Sequence, residues 1–280
     1  MINFIAKKLF TIAFSTQVCY NKHKMFNFIY GNIDFAHKID NSSSPTEEYY
    51  KHMHAFAEML YLVSGDVNYT VESDTRKLQA GDLVFIAPGK YHFATVNLDD
   101  QPYERYVLKF PEILIPDYLK AGLFAHTPFF ADPGSFTEIF KRLDGYIENF
   151  LPEEVNTLFN CELARLLVFM NRSANSERQN TNKFIDKIIN YVDSHITESI
   201  TLDSLAAAFL FSKSYICNEF KKHMKIPVMQ YIRSKKILFA HSLITNGMKK
   251  CEAAEKVGFA NYSTFFRAYR KMISGSSFPE

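Results

Sequence analysis

The four cysteines of this 280-residue chain, Cys19, Cys161, Cys217 and Cys251, form no C-x-x-C pair. Their scatter argues against a disulfide framework and a cysteine-based zinc site, and suits free thiols in a reducing compartment. No uninterrupted apolar run reaches the roughly 20 residues that a membrane span needs. The opening stretch, MINFIAKKLFTIAFSTQVCY, is partly apolar, but Lys7 and Lys8 break it and no small-x-small cleavage site follows. It reads as a poorly ordered extension over residues 1–24 rather than a leader. A soluble, cytoplasmic protein is expected. Neither sign of charge dominates: the net charge is +2, which by itself points to no partner. No aromatic RNP-like run is present, so the sequence offers no signature of that RNA-binding module.

What is present is an asymmetry. Residues 181–280 carry 15 Lys+Arg against 8 Asp+Glu, net +7, while residues 1–180 carry 17 against 22, net −5. A basic C-terminal third beside an acidic remainder fits a nucleic-acid module joined to another domain, although a helical domain with lysines on its solvated face has the same balance. The length suits two domains of about 100 to 200 residues each, and 47% apolar content supports sizeable cores.

Two stretches of that basic third repeat one pattern: LDSLAAAFLFSKSYICNEFKK from Leu202 and KKCEAAEKVGFANYSTFFRAYRK from Lys249. Each offers a small Ala-rich helix, a short turn opened by a polar residue, and a second helix with aromatic anchors. Ala side chains permit the close crossing of a helix-turn-helix. Ser212 and Asn261 are suited to N-capping, their side-chain oxygens accepting from exposed backbone N–H groups. Ile216, Phe220 and Met224, and then Phe265 and Tyr269, recur every four residues and should face the core. The other faces present Lys213, Ser214 and Asn218, then Tyr262, Ser263, Phe266 and Arg267, which suit base edges. Lys221, Lys222, Arg270 and Lys271 suit phosphates.

With FIDKIINYVDSHITESITLDSLA and YIRSKKILFAHSLI between and before them, these runs resemble the DNA-binding domain of the AraC/XylS family over about 90 residues. The resemblance implies a sequence-specific regulator of transcription, commonly an activator and a homodimer, acting on double-stranded promoter DNA with RNA polymerase as a possible further partner. Its two probe helices would enter successive major grooves about 34 Å apart, spaced by a helix over 231–244. Two departures stand out. Lys225 replaces the usual glycine after the first probe helix, which would strain a left-handed cap. The end SGSSFPE lacks the usual close. Lys236 stands where the family often has arginine, which weakens any bidentate contact expected there.

From Met25 to Phe110 the pattern changes to strands, with turns at Gly65-Asp66, Ala80-Gly81 and Pro88-Gly89, as in a small sandwich or barrel. His52-x-His54-x3-Glu58-x6-Gly65 resembles the first cupin motif, and Gly81 to His92 the second in length. In metal-binding cupins the positions matching His52, His54, Glu58 and His92 would hold iron, manganese or zinc. Such residues also mark the fold in sensor domains of AraC type. They are therefore expected to line a small-molecule pocket with Phe85, with no resident metal, cofactor or catalytic group. A barrel that only supports dimerisation is the other outcome. A metal-dependent cupin enzyme with a helical appendage is the rival reading.

Two amphipathic helices should follow, PGSFTEIFKRLDGYIENF and PEEVNTLFNCELARLLVFMNR, either packed on the barrel or offering a dimer seam. The proline-containing PEILIPDYLKAGLF reads as a connection. The expected fold is α+β: a cupin-like β-barrel with flanking helices over 25–172, a linker over 173–182, and an all-α domain with two helix-turn-helix motifs over 183–280.

Overall fold

The computed structural model describes residues 17–18, 26–41, 49, 51–99, 101–125, 128–131, 134–173 and 182–273. Most of the predicted extension, the interior of the predicted linker and the SGSSFPE end lie outside these residues.

The N-terminal part is built on antiparallel strands: β1 (Gln17–Val18), β2 (Phe26–Tyr30), β3 (Ile33–Asp40), β4 (Ala57–Ser64), β5 (Asp66–Val71), β6 (Asp74–Lys77), β7 (Leu83–Ile86), β8 (His92–Asn97), β9 (Tyr103–Phe110) and β10 (Phe129–Phe130). They form two sheets, one ordered β1-β2-β3-β9-β4-β7-β10 and one ordered β6-β5-β8. Among the described strands no ladder joins the sheets, so the expected barrel is an open sandwich. Gly65, with φ of +136°, lets β4 turn into β5 and so pass from one sheet to the other.

Strand β4 is apolar on both faces because both are covered. Leu60 and Leu62 join Val67, Tyr69, Val84, Ile86 and Val107 between the sheets. Met59 and Tyr61 point the other way, toward the helices, with Phe35, Phe85 and Leu108. This alternation follows from the two-residue period of a strand.

Three helices cover that outer face: α1 (Asp117–Ala125), α2 (Phe136–Asn149) and α3 (Pro152–Ser173). The stripes of α2 (Phe136, Ile139, Phe140, Leu143) and α3 (Val155, Phe159, Leu163, Leu166, Leu167, Met170) are buried on the sheet. The apolar face considered for a dimer seam is thus spent within the domain. The expected connection after Phe110 instead holds a 3-10 turn over Glu112–Leu114 and α1.

The C-terminal part is helical: α4 (Lys183–Ser194), α5 (Leu202–Phe209), α6 (Lys213–Met224), α7 (Val228–Thr245), α8 (Lys250–Lys256) and α9 (Tyr262–Ile273). Its core joins Ile188, Leu205, Ile216, Phe220, Ala253 and Phe265. Met53, Tyr91 and Phe93 of the sandwich belong to the same cluster, so the two parts share packed apolar surface. No helix among the described residues is long and apolar enough to cross a membrane.

Candidate nucleic-acid interface and sensor site

Each probe helix starts where its cap dictates. Thr201 and Ser204 form a reciprocal capping box at the start of α5. The Ser212 hydroxyl accepts from the Tyr215 N–H at 3.2 Å to open α6. Asn261 accepts from the Thr264 N–H at 3.0 Å to open α9. Ile216, Phe220 and Met224 of α6 are buried, as are Phe265 and Tyr269 of α9. The opposite faces are solvated. Lys213, Ser214, Asn218, Lys221 and Lys222 are exposed on α6, and Tyr262, Ser263, Arg267, Arg270 and Lys271 on α9. Phe266 is half-buried and stacks on Tyr262, ring centroids 5.8 Å apart. Lys213 pairs with Asp203 of α5. The sequence reading passed over Tyr215, an exposed ring on α6 that stacks on Phe211 at 4.7 Å.

Two of the departures now have a structural form. Lys225 takes the left-handed conformation, φ of 57°, at the end of α6. Lys236 is not available to DNA. It is buried in α7, and its ammonium donates to the Val257 carbonyl at 2.7 Å and the Glu198 carbonyl at 2.5 Å. It ties the segment after α4 to the end of α8. Burial lowers its pKa.

In the sandwich, His52, His54, Glu58 and His92 converge, with one ligating atom from each lying within 4.8 Å of the others. Backbone pairing places them: His52 and His92 exchange N–H···O bonds of 3.2 and 3.0 Å, and Gly89 N–H donates to the His54 carbonyl at 2.8 Å. The rings of His52 and His54 lie 4.2 and 4.8 Å from that of His92. His54 Nε2 is 3.1 Å from Glu58 Oε2. Burial alone would raise the Glu58 pKa, but the hydrogen bond and charge of His54 outweigh it and hold the carboxyl below its ordinary range. Burial pushes the fully buried His92 well below the usual imidazole value, and the neighbouring His52 and His54 add to this. Phe85 is not part of this group. It faces the helices across β7 and stacks on Phe124 at 6.2 Å, because a single residue's shift in strand parity moves it to the other face.

The cluster stands between two cavities. One, of about 340 Å³, lies in the sandwich and is lined by Glu58, Leu60, Tyr69, Arg105 and Lys109. The other, of about 630 Å³, lies against the helical part and is lined by His54, Phe56, Leu238, His241 and Tyr269. His52 borders both.

A buried contact that the sequence did not announce joins the two parts. Glu72, left-handed with φ of 54°, accepts from the Tyr231 hydroxyl at 2.8 Å and from the Tyr91 N–H at 3.2 Å. Lys235 reaches Asp193 at 2.8 Å and Glu72 at 4.0 Å, and donates to the Gly89 carbonyl at 3.3 Å. Burial would lower the Lys235 pKa, but Glu72 and Asp193 outweigh it and raise it. Ser73 donates to Asp186 nearby.

Known proteins match both halves. Residues 42–153 match the AraC-like ligand binding domain, and residues 205–276 a helix-turn-helix domain. The chain is 24% identical over 276 residues to the uncharacterized HTH-type transcriptional regulator YdiP of Escherichia coli (strain K12), covering 93% of this chain and 90% of that one. It is 27% identical over 93 residues to the transcriptional regulatory protein HptR of Staphylococcus aureus (strain NCTC 8325 / PS 47), covering 33% of this chain and 37% of HptR. The crystal structure of an apo, singly substituted ToxT from Vibrio cholerae aligns with 87% of this chain and 95% of its own at 14% identity, with a TM-score of 0.42. An N-terminal ligand-binding domain followed by a helix-turn-helix domain defines a transcription regulator. The chain belongs to the AraC family.

Proposed function

We propose that this regulator reads double-stranded DNA sequence-specifically with α6 and α9, and that its sandwich senses a small molecule. Residues 25–172 would be the sensor and 183–280 the reader, joined over 173–182. The reading rests on one observation: α6 and α9 both bury their aromatic faces in a single core and turn exposed Asn, Ser, Lys and Arg outward. Asn218 and Arg267 are the base readers, with Lys213, Ser214, Tyr262, Ser263 and Phe266 beside them. Lys221, Lys222, Arg270 and Lys271 hold phosphates, which contribute affinity without sequence information. The effector site is the sandwich cavity bordered by His52 and Glu58. The Glu72–Tyr231–Lys235 contact carries its state to α7. Activation, homodimerisation, contact with RNA polymerase and a cytoplasmic location belong to the same proposal on family likeness.

The test is selection of bound fragments from the host genome, followed by titration of the recovered site. Asn218→Ala and Arg267→Ala should each cost about 1–3 kcal/mol on that site and relax preference at different base pairs. Unchanged ratios of selected to scrambled DNA in both variants contradict the reading.

A further inference from the structure

At the mouth of the sandwich, the hydrogen bonds of the four clustered residues leave one buried ring nitrogen unsatisfied. The Nδ1 of His54 lies 2.9 Å from the Phe56 carbonyl, and the Nδ1 of His92 lies 2.9 Å from the Lys90 carbonyl. A carbonyl oxygen only accepts, so both Nδ1 atoms carry hydrogen. In the neutral ring this leaves both Nε2 lone pairs facing inward. The Nε2 of His54 lies 3.1 Å from the Glu58 carboxylate, to which a charged ring donates; a metal ion in place of that proton would be shared by both. The Nε2 of His92 is buried and has no hydrogen-bond partner. An unsatisfied buried polar atom is costly, so its persistence calls for an explanation. Acceptors converging in a buried site, with ring N–H groups anchored on backbone carbonyls behind them, are how proteins orient imidazole toward a metal.

We propose that His52, His54, Glu58 and His92 bind a divalent first-row transition metal ion. The sequence alone pointed to a site without metal. The anchored Nδ1 atoms of His54 and His92 and the orphaned His92 nitrogen are what change that. Three imidazoles and one carboxylate suit Zn, Fe, Ni or Cu, whereas Mg and Ca prefer all-oxygen sites. Donors about 2.1 Å from a common ion lie roughly 3 to 4.2 Å apart, so a spread of up to 4.8 Å closes with small side-chain adjustments. His52, exposed and bordering both cavities, provides the entry path. An octahedral ion with four protein donors keeps two positions open for water or an effector. The inference names a ligand class for the sensor site and rests on the sensor reading only for what the ion would regulate.

The experiment uses the full chain, treated with chelator and titrated with Zn(II), while long-range 1H–15N spectra follow the histidine rings. Three rings of the nine histidines in the chain should move together and saturate at one equivalent, with His54 and His92 bound through Nε2 and still protonated at Nδ1. Co(II) should give saturable d–d absorption that Glu58→Gln and His92→Gln each weaken by at least about tenfold. Folding of each variant is checked by circular dichroism, and an unfolded variant leaves the decision with the wild-type spectra. Absence of a saturating response, a response confined to other histidines, or unchanged Co(II) affinity in folded variants overturns the proposal. A gel shift with the selected duplex, run in parallel, reports DNA binding separately, so either reading can fail while the other stands.

Discussion

Lys236 differs from the basic residues around it. Lys213, Lys221 and Lys222 are exposed, whereas Lys236 is buried and ends on two backbone carbonyls. Lys236→Met keeps the apolar stem and removes the donor, leaving the Glu198 and Val257 carbonyls short of a bond. The expected loss is roughly 1–3 kcal/mol, visible as a lower melting temperature. A melting temperature equal to wild type would show that the clamp contributes nothing. In the sandwich, His37 lies 2.8 Å from Glu104 and 3.5 Å from Asp144. Burial would lower its pKa, but the bonds and charges of Asp144 and Glu104 outweigh burial and raise it above 6.5. A raised folded pKa means the folded state holds the proton more tightly. That stability is complete below pH 6.5 and is lost as pH rises through the folded value. Thermal unfolding across neutral pH should show this decline in wild type and a smaller one in His37→Gln.

At the scale of elements, the helix starts were legible. Ser212 and Asn261 cap where a polar residue before an apolar period predicts a cap. The inward faces of α2, α3, α6 and α9 follow the helical period that the sequence displays. Helix α1 was not legible, because Pro111 and Pro116 read as breaks, whereas Pro116 stands immediately before the helix and interrupts nothing inside it. The side of the sheet on which Phe85 lies depended on strand parity, which motif spacing does not convey. The conformation of Lys225 was anticipated from the missing glycine, and it is left-handed. Lys225→Gly should therefore raise the melting temperature, by about 1 kcal/mol of stability, since glycine carries no Cβ penalty there. A lower melting temperature would mean the flexibility gained by the unfolded chain outweighs the relief.

For the whole molecule, the least legible feature is the contact between sandwich and helices. Glu72 and Tyr231 are 159 residues apart and carry no periodic signal, yet they share a buried hydrogen bond. Tyr231→Phe and Glu72→Gln should each destabilise the full chain by roughly 1–3 kcal/mol. The double variant should lose less than the sum, because the two residues act on one bond. Strict additivity would remove this contact from the account of how the sensor and the reader communicate. The charge asymmetry, by contrast, was visible at once, and it matches the division into an acidic sandwich and a basic helical part.

The central claim concerns two probe helices on one duplex, and hydroxyl-radical footprinting on the selected site tests it most directly. Wild type should protect two patches on one face of the DNA, about one helical turn or 10 base pairs apart. Asn218→Ala should weaken one patch and Arg267→Ala the other. A single patch, or two patches that both variants weaken equally, would contradict the account.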